Sequence, residues 1–220
     1  MNTIKAFVFD AYGTLFDVNS VAKACEELFP QNGSKICKVW REKQLEYSFL
    51  RQLMGRYIPF SAITRDALQY ACAREGVVLT EEKEIFLLDK YLHLKSFPEV
   101  KEVLKAIKER NRIIFSNGSY DMLLPLVNNS WLEEFLDDVI SVDEVKEYKP
   151  TPMSYQIIIE RLGVKRNEVL FMSSNTWDIA GATSFGFYTA WINRKNDVMD
   201  NLGVAPNFIY SDLTGILEHS

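Results

Sequence analysis

Only three cysteines occur in the 220-residue chain, Cys25, Cys37 and Cys72, and only two histidines, His93 and His219. The cysteine count is odd and no pair stands at C-x-x-C spacing. A disulfide framework and a Cys/His zinc site are therefore not expected. A basic excess is missing too: 25 lysines and arginines face 30 acidic residues, for a net charge of −5. Binding to nucleic acid and docking on an anionic membrane both draw on basic surface, so neither is expected. No uncharged apolar run approaches the roughly 18 residues of a membrane span. The apolar N-terminal stretch is interrupted by Asp10 and lacks a small-residue cleavage site, so it does not read as a secretory signal. The expected compartment is a reducing cytoplasm.

What remains is the composition of a globular chain, 47% hydrophobic and 25% charged. That is enough apolar material for a core without staples. Its periodicity falls into three regions. Ile4 to Phe9 is a nearly unbroken apolar run ending at Asp10, with Gly13 to turn the chain. Such a run predicts a strand buried inside a parallel sheet. Residues 18–97 are helical in character and hold no convincing strand. Val21, Ala24, Cys25 and Leu28 recur at helical spacing up to Pro30 and Gly33, and helices are predicted over 34–54, 61–75 and 81–93. From 99 onward helices alternate with apolar runs at 113–115, 139–141, 169–172 and 188–192. Alternation of that kind means βαβ units and a doubly wound, Rossmann-like parallel sheet. The expected architecture is an α/β core, residues 1–17 and 98–220, interrupted after its first strand by an all-helical cap, residues 18–97.

Ligands of open α/β sheets bind beyond the carboxyl ends of the strands. Asp10-Ala11-Tyr12-Gly13-Thr14 follows the first predicted strand and Ser116-Asn117-Gly118-Ser119 the second. Lys149-Pro150 comes a little after the third, and Ser173-Ser174-Asn175-Thr176-Trp177-Asp178 follows the fourth. One edge thus collects two carboxylates, an ammonium, hydroxyls and carboxamides, with the helical insert over it as a lid. Each group also has an ordinary reading. Asn175 with an acid three residues on has the form of a helix capping box. Arg41 suits a solvated helix face, and Tyr12, Leu45, Phe60 and Trp177 suit plain core.

Taken in order, D-A-Y-G-T-L-F-D, S-N-G-S, K-P and S-S-N-x-x-D resemble the motifs of the haloacid dehalogenase superfamily. Within it, W-R-E-K-Q-L-E-Y and L-M-G-R-Y resemble the type II L-2-haloacid dehalogenases. The resemblance implies a doubly wound core with a helical cap. It also implies a cofactor-free, metal-free hydrolase that acts on carbon–halide bonds of 2-haloacids, commonly as a homodimer. By resemblance, Asp10 is the nucleophile, and Thr14 and Ser116 position it and the substrate carboxylate. Arg41 and Asn117 handle the halide, and Lys149 keeps Asp10 ionised. Tyr155, Ser173, Asn175 and Asp178 form the hydrolytic cluster, with Asp178 as base. Tyr12, Leu45, Phe60 and Trp177 form the apolar pocket. Glu42 departs from the neutral residue expected there. The cap aromatics Trp40, Tyr47, Phe49, Tyr57 and Phe60 offer material for a symmetric interface.

Most of that superfamily cleaves phosphate esters, using a second Asp two residues after the nucleophile and an extra carboxylate for Mg²⁺. Here those positions hold Tyr12 and Asn175. At ~4 Å and an effective dielectric of ~20, each unit-charge pair of a phosphate beside Asp10 costs about 4 kcal/mol. A halide leaves without a proton donor, and a haloacid brings one charge, which Arg41 and Lys149 offset. Left open are a phosphatase with an unusual metal site, a hydrolase opening a strained carbon–nitrogen ring through the same aspartyl ester, and a binding protein that kept the fold.

Overall fold

The computed structural model describes residues 4–219; residues 1–3 and 220 of the expected core lie outside them. The first apolar run forms β1 (Ala6–Phe9), and all four of its residues are fully buried. Burial on both faces marks the middle of a parallel sheet. It pairs in parallel with β4 (Asn111–Ser116) on one side and β6 (Val169–Ser173) on the other. Outward from these lie β5 (Asp138–Ser141) beyond β4, and β7 (Tyr188–Ile192) and then β8 (Phe208–Tyr210) beyond β6. Every pairing in this six-stranded sheet is parallel. The chain winds first one way from β1 and then the other. The switch falls beside β1, where the carboxyl ends diverge and leave a crevice.

The helices α5 (Val100–Ala106), α6 (Tyr120–Asn129), α7 (Pro152–Leu162) and α8 (Thr176–Phe185) alternate with these strands. α5 ends at Ala106, and turns carry the chain into β4. β8, the apolar triplet Phe208-Ile209-Tyr210, is not among the predicted runs; it forms as a short edge strand paired in parallel with β7.

Between β1 and β4 the chain runs through α1 (Asn19–Leu28), α2 (Gly33–Leu53), α3 (Phe60–Arg74) and α4 (Glu81–Lys90). The segment is not free of strand, contrary to expectation. Its entry, β2 (Phe16–Asp17), pairs antiparallel with its exit, β3 (Lys95–Ser96). Two residues are too few to leave a periodic signal, yet the pairing ties both crossings of the helical segment together. Inside that segment Trp40 is fully buried and its indole N–H donates to the Thr64 carbonyl at 2.7 Å. Gln44 continues the stripe: its amide donates to the Thr64 hydroxyl at 3.0 Å, and Tyr91 donates to its oxygen at 3.2 Å. The α2–α3 pair is thus held by burial together with a satisfied polar network, in which no member can be removed without stranding another. Trp40 and Phe60, expected at a symmetric interface, are instead buried within the chain, and Tyr57 packs on Tyr148 at 4.9 Å. Truncating Trp40 to Ala is expected to lower unfolding free energy by about 3–5 kcal/mol in urea denaturation.

Candidate active site

Asp10 lies just past β1, 5% exposed, with its backbone N–H on the Met172 carbonyl at 2.9 Å. Gly13, at φ +86°, lets the chain turn back so that Thr14 faces Asp10. The Thr14 hydroxyl donates to Asp10 Oδ2 at 3.0 Å and accepts the Ser174 N–H at 2.8 Å. The Asn175 carboxamide donates to the same Oδ2 at 3.1 Å. Asn175 stands at the N-cap of α8 but caps nothing with its side chain, and its own N–H goes to the Ser173 hydroxyl at 3.1 Å. The capping-box reading is therefore overturned: the Asn175 side-chain oxygen accepts no first-turn N–H, and the carboxamide is turned to donate to Asp10 instead.

Asp10 Oδ1 accepts from Lys149 Nζ at 3.0 Å. The same ammonium donates to Asp178 Oδ2 at 2.7 Å and to the Phe115 carbonyl at 3.3 Å, so all three of its protons are engaged. It lies 5.2 and 5.4 Å from the Phe115 and Phe171 ring centres. Lys149 and Asp178 are fully buried. Burial works against the ammonium, but the charges of Asp10 and then Asp178 outweigh it and raise its pKa above the ordinary lysine value. Burial also raises the Asp178 carboxyl; Lys149 opposes this, while Asp10 adds to it. The two directions agree: one positive charge shared by two buried carboxylates leaves an excess negative charge that one of them bears. The Tyr155 hydroxyl donates to Asp178 Oδ1 at 2.7 Å. Burial, reinforced by that carboxylate, holds the phenol well above its usual pKa and keeps it a donor.

Asn117 is clamped on the Lys149 backbone, accepting its N–H at 2.8 Å and donating to its carbonyl at 3.4 Å. Ser116 accepts the Gly118 N–H at 3.0 Å and makes no hydrogen bond to Asp10 among the described residues. A cavity of about 430 Å³ opens beside this cluster, lined by Tyr12, Arg41, Ser174, Asn175, Arg194 and Lys195 among others. Tyr12 is 6% exposed, its hydroxyl has no hydrogen-bond partner among the described residues, and its ring meets Tyr91 edge-on at 5.9 Å. Arg41 reaches the cavity from the middle of α2. Leu45, Phe60, Asn117 and Trp177 do not line it. Phe60 is buried against Tyr148, Trp177 meets Phe49 edge-on at 5.3 Å, and Leu45 is half-buried on α2. Glu42 is exposed and does not line the cavity.

This arrangement can present a buried carboxylate to an electrophile and a second carboxylate, of raised pKa, to a water. The chain belongs to the haloacid dehalogenase-like hydrolases. That family's profile matches residues 4–186. A haloacetate dehalogenase H-2 of Moraxella sp. (strain B) is 44% identical, over 94% of each chain. A (S)-2-haloacid dehalogenase of Xanthobacter autotrophicus is 50% identical over 87% of this chain and 76% of its own length. Among solved structures, an L-2-haloacid dehalogenase of X. autotrophicus with chloropropionic acid covalently bound superposes with a TM-score of 0.94 at 40% identity, over 98% of both chains. The fold expected from the motifs is the fold of this family.

Several residues of this dehalogenase-like site lay beyond the sequence reading. Ser174 sits inside a recognised motif, but no role attached to it. Arg194 follows β7 and would have been reached by asking what lies past that strand as well. It donates to the Thr14 carbonyl at 3.0 Å, pairs with Glu99 at 2.6 Å and packs 3.8 Å over Phe97. Gly181 is explained only by packing. A Cβ there would overlap Pro150 and stand 2.6 Å from the Tyr155 hydroxyl. Gly181→Ala is expected to cost about 1–3 kcal/mol of stability, read as a lowered Tm, and to lower kcat by pushing Tyr155 off Asp178.

Proposed function

We propose that this chain hydrolyses short 2-haloalkanoic acids to 2-hydroxy acids, with inversion at C2, through an ester on Asp10. The observation that carries the reading is the Asp10 carboxylate, held by one ammonium and two neutral donors beside a cavity that Arg41 enters. The covalently bound chloropropionic acid of a relative 40% identical to this chain supports the covalent step.

In the first step Asp10 attacks C2 in line and expels halide. Arg41 receives the anionic end of the substrate and the departing halide. Tyr12 closes the apolar side of the site, with Leu45, Phe60 and Trp177 shaping the region around it. Thr14, Asn175 and Lys149 fix the carboxylate so that attack requires little reorganisation. The helical segment between β2 and β3 acts as the lid that excludes water. Asn117 acts through its clamp on Lys149, and Ser116 through the Gly118 turn.

In the second step water adds to the Asp10 acyl carbon, with Asp178 as base, oriented by Tyr155 and Lys149. Ser173 serves by holding the Asn175 peptide. The Gly13 and Thr14 amides are committed to the Phe16 and Ala11 carbonyls, at 2.8 and 3.3 Å. The Ala11 and Tyr12 amides are the ones we assign to the developing oxyanion. The incoming water oxygen ends in the Asp10 carboxylate, and the ester oxygen leaves with C2 as the product hydroxyl.

No divalent cation enters this scheme: the positive charge between the two carboxylates is an ammonium. Among the described residues no group of three His, Cys, Asp or Glu side chains is placed to hold a metal. Halide release from (S)-2-chloropropionate is expected to be unchanged by EDTA and abolished by Asp10→Asn. In ¹⁸O-water a single turnover is expected to place label in Asp10 before the product. Mg²⁺-dependent phosphate release from small esters, without halide release, would overturn the proposal in favour of a phosphatase. Because Asp178 must be ionised to act and its pKa is raised, kcat should fall with decreasing pH at a value above the ordinary aspartate pKa of about 3.9. An acid limb at or below that value removes Asp178 from the role.

We also infer a cytoplasmic homodimer. No described helix is long and apolar enough to cross a membrane. The end of α2 exposes Leu50, Leu53 and Met54, at 44%, 83% and 60%. Light scattering should return twice the 25.4 kDa chain mass, and Leu53→Lys should return the mass of one chain.

A further inference from the structure

Lys149 is held from two sides. Its side chain meets Asp10 at the end of β1, Asp178 on α8, the Phe115 carbonyl of β4 and the rings of Phe115 and Phe171. Its backbone is gripped by Asn117. The peptide just before it is held by the helical segment. The Tyr148 N–H donates to Gln52 Oε1 at 2.7 Å, and the Tyr148 hydroxyl donates to the Ile58 carbonyl at 2.6 Å. The Tyr148 ring is fully buried between Tyr57 and Phe60, at 4.9 and 6.2 Å. On its other side the Gln52 carboxamide donates to Glu147. Its orientation follows from its partners, since the peptide N–H demands the oxygen and the carboxylate demands the nitrogen.

Gln52 lies on α2, the helix that carries Arg41 into the cavity, and three turns separate the two residues. We propose that Gln52 is a positioning residue for Lys149, coupling the helix that carries Arg41 to the ammonium that holds Asp10 and Asp178. It touches neither substrate nor the reacting atoms. It acts by fixing where the 147–149 backbone lies when the helical segment is closed on the sheet edge. The inference rests on the dehalogenase reading above and extends it to residues no motif of the core includes.

The roles of the two amide ends make the idea testable. Gln52→Glu keeps an acceptor for the Tyr148 N–H but sets two carboxylates against each other at Glu147. Adding Glu147→Gln restores a donor–acceptor pair with its polarity reversed. The full-length enzyme and three variants, Gln52→Ala, Gln52→Glu, and Gln52→Glu with Glu147→Gln, are assayed for halide release from (S)-2-chloropropionate. Folded fraction is followed by circular dichroism. We expect kcat to fall about tenfold in Gln52→Ala and Gln52→Glu while KM moves less than threefold, because ground-state binding through Arg41 persists. The double variant is expected to return kcat to within about threefold of the unaltered enzyme. Unchanged kcat in Gln52→Ala overturns the proposal. So does a loss that only tracks the folded fraction, or a double variant no better than Gln52→Glu. An unaltered enzyme that releases no halide instead strikes the dehalogenase reading itself, and is seen before any variant is measured.

Discussion

A single ammonium, buried between two carboxylates, organises this molecule. Lys149 reaches Asp10 at 3.0 Å and Asp178 at 2.7 Å with no exposure to solvent. Burying one charge is costly, and burying three is tolerable only when each finds partners. The structure meets that demand from every nearby element: the Phe115 carbonyl for the third ammonium proton, Tyr155 for Asp178, Thr14 and Asn175 for Asp10. The cluster still carries one negative charge too many. That imbalance suits the nucleophile and the base of the proposed mechanism, since no second cation among the described residues pairs with either carboxylate.

The fold serves this cluster by its topology. Asp10, the Ser116–Asn117 turn and the Ser173–Asn175 turn all lie past strands that are neighbours in the sheet, β4, β1 and β6. Parallel pairing brings their carboxyl ends to one level, so groups more than a hundred residues apart in sequence converge within hydrogen-bond reach. Lys149 is different: it follows β5 at a distance and reaches the centre from a loop. A loop carries less intrinsic order than a strand end, which is why Asn117 from below and the Gln52–Tyr148 contacts from the helical segment bear on it.

Several of these relations were already legible in the residues. The unbroken apolar run before Asp10 announces a central parallel strand, and helix–strand alternation after residue 99 announces the doubly wound sheet. The rule that ligands sit past strand ends nominates Asp10, Asn175 and Asp178. It fails where the signal is too short or not local. β2 and β3 have two residues each, and β8 is a three-residue apolar run with no helix between it and β7 to continue the alternation. The large apolar residues of the helical segment look alike in sequence, yet Trp40 is sealed between helices while Leu53 is exposed. Hydropathy cannot separate those cases, because it does not say which face of a helix meets a neighbour.

The order of the elements, the core strand and the set of chemical groups on one edge can be read from the residues alone, because they follow from periodicity and from what ends each strand. Which of those groups touch is set by the packing of distant segments in the folded chain. That packing turns the Asn175 carboxamide to Asp10, requires glycine at 181 so that Tyr155 can reach Asp178, and sets Gln52 against the peptide beside Lys149. The reason is physical: hydrogen-bond partnership depends on distances of a few tenths of an ångström between distant segments, and no local pattern of residues encodes those.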